Sequence, residues 1–118
     1  MTHQHRIQNC LFIKSKLILI QNSHPLTGSY VYSSFIGFYL TGQVMRNMQA
    51  VLEEAGFGFE HVVSATVYLT DIDKLDTFDA VWQEYFPDSE TYPSRAVVQV
   101  AALVLGIQLE ISAIAIKD

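Results

Sequence analysis

Charge is scarce in this chain, and positive charge scarcer still. Only 16% of its 118 residues are Asp, Glu, Lys or Arg, and 7 basic residues face 12 acidic ones, for a formal net charge of −5. No basic stripe is present, so no nucleic-acid partner is expected: binding along a phosphate backbone has no electrostatic support. Cysteine occurs once, as Cys10. A lone cysteine makes no internal disulfide, which fits a reducing compartment and an expected cytoplasmic location. Long apolar runs are missing too: Lys14-Ser15-Lys16 cuts the greasiest early stretch into Cys10–Ile13 and Leu17–Ile20. Neither piece approaches the roughly 20 residues of a spanning helix or the continuous core of a signal peptide, so no membrane partner is expected. A Gly-rich phosphate loop, a paired-cysteine metal motif and a nucleophile elbow are also absent. His3, His5, His24 and His61 have no further ligands at metal-binding spacing.

Apolar residues, by contrast, make up 50% of the chain, with a mean hydropathy of +0.23. The length suits one domain over 1–118. A domain this small leaves much of its surface uncovered as a monomer, so the apolar excess predicts a homo-oligomer.

Residues 1–9 are polar and read as a loose tail. Residues 10–22 read as a hairpin whose turn is Lys14-Ser15-Lys16. His24-Pro25-Leu26-Thr27-Gly28-Ser29 marks a second turn, leading to Tyr30-Val31-Tyr32. A helix is predicted from about Ser34 to Ala55, because Val44, Met48, Val51, Leu52 and Ala55 share one helical face. Ser34 is a candidate cap and Gly56 a natural residue just past the end. The opening Phe35–Leu40 is apolar all round and suits a buried segment or a docking patch. Val62 to Thr70, rich in β-branched residues, predicts a strand. Asp73 is the expected N-cap of a second helix over Lys74 to about Phe86, ended by Pro87. Its stripe of Leu75, Phe78, Val81, Trp82, Tyr85 and Phe86 reads as core. Strands are predicted at 94–103 and 107–116. The order implies an α+β fold: a mixed β-sheet with two helices on one face.

The last quarter concentrates the chemistry. Tyr92–Leu103 and Ile107–Ala115 carry two charges, Arg95 and Glu110. A guanidinium on an apolar strand needs an anionic partner, because an unpaired buried charge is costly. Two partners are open: a structural carboxylate, or the carboxylate of a small ligand, which the planar fork of arginine matches with two hydrogen bonds. A glutamate can orient a water or carry its proton. If the last two strands form a hairpin turning near Leu105, Arg95 stands opposite Ala115 and Glu110 opposite Val100. The two side chains are then about 16 Å apart along the sheet. One small ligand would have to take its arginine and its glutamate from different chains.

Several segments together carry a family resemblance: Gln43-Val44 with Asn47–Gly56, Val62-Val63 through Thr66–Asp71, Tyr85-Phe86, Tyr92-Pro93-Ser94-Arg95, Val98–Leu103, and Leu109-Glu110-Ile111 with Ala113–Ala115. Over about Thr41 to Lys117 the chain resembles the RidA/YjgF family of reactive-imine deaminases, also known as endoribonuclease L-PSP-like proteins. The resemblance implies a homotrimer with a chorismate mutase-like fold and ligand pockets between subunits. It implies hydrolysis of 2-iminobutanoate or 2-iminopropanoate to the 2-keto acid and ammonia, with no metal or organic cofactor. On it, Arg95 grips the substrate carboxylate and Glu110 holds the hydrolytic water.

Departures from the family pattern gather at the implied pocket. The family's Ile-Gly-Pro-Tyr-Ser-Gln-Ala segment has no counterpart in residues 1–20. Leu19–Ser23 stands where the family has Ser-Gly-Gln, leaving Gln21 or Ser23 as its nearest equivalent. Asp79 stands in place of an asparagine, Val97 in place of a common cysteine, and Leu103-Val104-Leu105-Gly106 in place of Leu-Pro-Lys-Gly. Facing the pocket, Asp79 would repel a substrate carboxylate or pair with Arg95 itself; otherwise it is a solvated helix residue. Arg95, Asp79, Val97 and Gln21 are thus the candidate substrate-binding residues, and Arg95 and Glu110 the candidate catalytic ones. Two other readings stand beside the enzyme: a non-catalytic trimeric binder of small carboxylates, and an interaction scaffold using the Phe35–Leu40 patch.

Overall fold

Main-chain pairing, not apolar content, sets where the sheet begins. In the computed structural model, which describes residues 2–7, 10–16 and 33–117, strand β1 (Thr2–Ile7) pairs antiparallel with β2 (Cys10–Lys16). Two expectations are corrected by this pair. Residues 2–7 form a sheet strand instead of a loose tail: among the described residues β1 has one neighbour, β2, and a polar sequence suits such a strand, whose main-chain hydrogen bonds ask nothing of the side chains. Lys14-Ser15-Lys16 ends β2 instead of turning the chain, since polar residues at every second position are compatible with a strand. The predicted second arm of that hairpin, the turn at 24–29 and the short strand after it lie outside the described residues.

Helix α1 (Ser33–Glu54) follows, then β3 (Val62–Leu69), helix α2 (Leu75–Tyr85), β4 (Ser94–Gln99) and β5 (Leu109–Ile116). The strand order is β1-β2-β5-β3-β4. Every neighbouring pair is antiparallel except β3 and β4, which run parallel because α2 carries the chain back between them. The expected mixed sheet is present, but the expected hairpin of the last two strands is not. β3 lies between β4 and β5, pairing Ala65 with both Arg95 and Ala113. Alternation along a strand tells which face a residue takes but not which strand it pairs with.

One face of the sheet is covered. Leu11 and Ile13 on β2, Ala65, Val67 and Leu69 on β3, and Leu109, Ile111, Ala113 and Ala115 on β5 are all buried. They form one cluster with Val44, Met45, Met48 and Leu52 of α1 and Phe78, Val81 and Trp82 of α2. Both helices therefore pack on the same face. Each large apolar side chain taken from water there contributes about 1.5–3 kcal/mol. The buried face of α1 is wider than the stripe read from sequence: it adds Leu40 and Met45, while Val51 and Ala55 are only half-buried. Leu40, the last residue of the proposed docking patch, belongs to this core.

The ends of the elements follow local chemistry. Gly56 has a φ of 81°, and the Phe57 N–H donates to Leu52 O at 2.8 Å, closing α1 as expected. Asp73 does not cap α2: Asp71 caps the short 3₁₀ turn Ile72–Lys74 ahead of it, its Oδ1 accepting from the Asp73 N–H at 3.0 Å, and Lys74 stands at the start of α2 without a side-chain cap bond. His61 has a local role, with Nδ1 accepting from the Gly58 N–H at 2.8 Å. Among the described residues no helix is long and apolar enough to cross a membrane.

Candidate active site

Arg95 is the second residue of β4, just after the buried Pro93. It shares the register row of Ala65 and Ala113, so it stands on the helix-covered face. There it meets α2. Trp82 neighbours both Phe78 and Asp79 on that helix, because residues three and four positions apart share a side. Arg95 Nη1 donates to Asp79 Oδ1 at 2.7 Å. The guanidinium carbon lies 5.8 Å from the Phe78 ring centre and 5.2 Å from that of Trp82. Both rings are buried. Trp82 also stacks on Phe86 at 4.4 Å, so the base beneath Arg95 is a stiff aromatic ladder.

The side chains of Arg95 and Asp79 are 24% and 31% exposed. Ion pairs this wet contribute little stability, about 0–1 kcal/mol. Position matters more. A guanidinium carries five N–H donors, and among the described residues Asp79 is its single hydrogen-bond partner. The arginine is thus fixed from below and from one side, with donors left for a ligand.

Val97 follows on the same face of β4, half-buried against the core. A valine there offers shape without a hydrogen bond. Gln99, which the sequence reading passed over, accepts from the Ile72 N–H through Oε1 at 2.8 Å. It ties the end of β4 to the turn that launches α2. A polar residue at a strand end reads as solvated, and no local signal marks a partner 27 positions away. Gln21 lies outside the described residues.

Glu110 is elsewhere. It shares a row with Tyr68 of β3 and Lys16 of β2, on the face away from α1 and α2, and is only 8% exposed. The structure does not bring Arg95 and Glu110 together within one protomer. They occupy opposite faces, about 10 Å apart along the strands and about 10 Å across them. A cleft of about 150 Å³ at the end of β3, with Thr70, Lys74, Phe78 and Gln108 on its walls, includes neither residue. Among the described residues no three His, Cys, Asp or Glu side chains are grouped to hold a metal.

Known proteins resemble this chain in sequence and fold. A sequence model described as endoribonuclease L-PSP matches residues 39–117. Human 2-iminobutanoate/2-iminopropanoate deaminase is 41% identical over 110 residues, covering 87% of this chain and 79% of the human one. A RutC family protein of Aquifex aeolicus is 39% identical over 75 residues, 64% of this chain and 60% of its own length. The crystal structure of RidA from an Antarctic Psychrobacter superposes with a TM-score of 0.77 at 30% identity, covering 97% of this chain and 85% of that one. A Thermotoga maritima structure gives 0.79 at 32% identity, covering 98% of this chain and 84% of that one. Proteins named as imine deaminases thus stand among the relatives. With the same α+β fold, and with the model matching most of its length, the chain belongs to the RidA/YjgF family, described as endoribonuclease L-PSP.

Proposed function

We propose that this protein hydrolyses short 2-imino acids, such as 2-iminobutanoate and 2-iminopropanoate, to the 2-keto acid and ammonia. The observation that carries the reading is Arg95: a guanidinium fixed on an aromatic base, partly open to water, with one neighbouring carboxylate. The imine deaminase names of the human and bovine relatives support it.

In this reading the substrate carboxylate lies on the open edge of Arg95 as a two-point contact. The protonated imine carbon is already electrophilic, so holding it against a water is most of the task. Glu110 of a neighbouring copy orients that water and takes its proton as oxygen bonds to carbon. The resulting carbinolamine receives a proton on nitrogen and breaks its C–N bond, releasing ammonia as the C=O forms. In total, one iminium and one water give one keto acid and one ammonium ion.

The second copy is part of the proposal, in a homotrimer with pockets between subunits. The sheet face away from α1 and α2 supports it. Ala96, Val98 and Ile116 are exposed there, with Val98 at 39% and Ile116 at 48%. A sheet face of this composition suits burial against further copies. The binder reading is kept as an alternative by one observation: Val97 stands beside Arg95 where the family commonly has a cysteine, so the arginine can anchor a carboxylate while its strand neighbour offers no polar group.

The deciding experiment generates 2-iminobutanoate in situ with an amino-acid oxidase and traps it with semicarbazide. Added protein should speed keto-acid release, and Arg95→Ala should abolish the effect. A well-folded trimer that leaves the rate unchanged, while still binding 2-ketobutanoate, would replace the enzyme reading with the binder reading.

A further inference from the structure

We infer that Asp79 is a specificity residue: with Arg95 it forms a charge pair that selects zwitterionic 2-imino or 2-amino acids over plain carboxylates. The inference rests on the reading of Arg95 as the ligand's carboxylate anchor.

The pair is complete before any ligand arrives. Arg95 Nη1 and Asp79 Oδ1 are 2.7 Å apart, and their sum is neutral. A bare anion docking on Arg95 would meet attraction from the guanidinium and repulsion from the carboxylate at similar distances. These nearly cancel, because Coulomb energies at like distances are alike in size. A site built only to hold anions gains nothing from such a neighbour.

A zwitterion changes the balance. In a protonated 2-imino acid the nitrogen is bonded to the carbon that bears the carboxylate. Its positive nitrogen and nearest carboxylate oxygen are therefore about 3 Å apart by ordinary bond lengths. That separation matches the gap between Arg95 and Asp79. Carboxylate against guanidinium and iminium against Asp79 make a square of alternating charge, in which every close neighbour attracts.

Access and rigidity fit as well. Each side chain of the pair keeps a wet side, at 24% and 31% exposure, so one small molecule can touch both. Phe78 and Trp82 lie beneath the guanidinium and hold its plane, leaving its edge as the approach. The same pair favours the protonated, electrophilic imine and disfavours the keto-acid product, which has lost its positive nitrogen. Substrate is retained and product is shed by one carboxylate.

The test compares stable ligands by calorimetric titration at neutral pH: 2-aminobutanoate as the zwitterion and 2-ketobutanoate as the anion. Trp82, the single tryptophan and 5.2 Å from the Arg95 guanidinium carbon, reports occupancy of the site by fluorescence. The wild-type protein should bind 2-aminobutanoate at least about tenfold more tightly than 2-ketobutanoate. Asp79→Asn should remove that advantage by tightening 2-ketobutanoate and weakening 2-aminobutanoate, and Arg95→Ala should lose both. Three outcomes overturn the inference: equal wild-type affinities, binding of neither ligand, or Asp79→Asn tightening both alike. The last would mark Asp79 as a simple internal plug. The expected preference without imine turnover would leave this inference standing and remove the hydrolase reading.

Discussion

Arg95 and Glu110 stand on opposite faces of one sheet, separated by β3 and by three residue rows. A single protomer therefore cannot offer both to one small ligand. Mixing two inactive variants tests whether two chains do so together. Arg95→Ala and Glu110→Gln should each be inactive alone. Unfolded together in equal amounts and refolded, they should regain activity at about a quarter of sites, where an intact arginine meets an intact glutamate across a subunit contact. If the mixture stays as inactive as its parents, while native mass spectrometry shows mixed trimers, the shared-pocket geometry is wrong.

The Arg95–Asp79 pair and the aromatic ladder beneath it should separate cleanly in stability. Asp79→Ala removes a partly exposed ion pair and is expected to cost no more than about 1 kcal/mol. Phe78→Ala empties a site only 1% exposed and is expected to cost about 3–5 kcal/mol. Urea denaturation of the two variants measures both. An Asp79→Ala loss as large as that of Phe78→Ala would make the ion pair a structural element and weaken the case for a ligand there.

Main-chain geometry at the end of α1 gives a third expectation. Gly56 sits at a φ of 81°, where a side chain is strained, and among the described residues an added Cβ would meet Lys117 Nζ alone, at 3.6 Å. Gly56→Ala should therefore destabilise by about 1 kcal/mol through backbone strain, not through a clash. Thermal unfolding checks it, and an unchanged midpoint would show that the turn rearranges.

Much of this was legible in the sequence. The stripe on α2 marked Phe78, Val81, Trp82 and Phe86 as core because helical spacing is a direct consequence of 3.6 residues per turn. Gly56 announced the end of α1, and replacement of an asparagine by Asp79 raised the pairing with Arg95 that the structure contains. Pairing partners were not legible. Residues 94–99 look like one arm of a hairpin with 109–116, yet the crossover through α2 sets them parallel to β3. Nothing in an alternating apolar pattern encodes which neighbour supplies the hydrogen bonds. Polar β1 was missed for the same reason, since its order comes from main-chain bonds to β2. Met45 was missed because α1 is covered over a wider arc than the stripe from Val44 to Ala55 suggested, whereas the burial of Leu40 agrees with the buried-segment reading of Phe35–Leu40.

Leu105 bears on how the turn between β4 and β5 is used. It has a φ of 58°, a conformation bulky residues rarely adopt, and its side chain is 69% exposed beside Val104 at 55%. Within one protomer this costs on the order of 1 kcal/mol of strain, with much of the apolar side chain left in water. Leu105→Gly should relieve the strain and stabilise a dilute, monomeric form by up to about 1 kcal/mol. In the proposed trimer the sign should reverse if Leu105 packs against a neighbouring copy, since burying a leucine contributes about 1.5–3 kcal/mol. Unfolding followed across protein concentration separates the cases. Stabilisation at every concentration would make Leu105 a surface accident of this chain. Stabilisation at low concentration that turns to loss at high concentration would place the Leu103–Gly106 turn at the subunit contact, where the pocket is proposed to form.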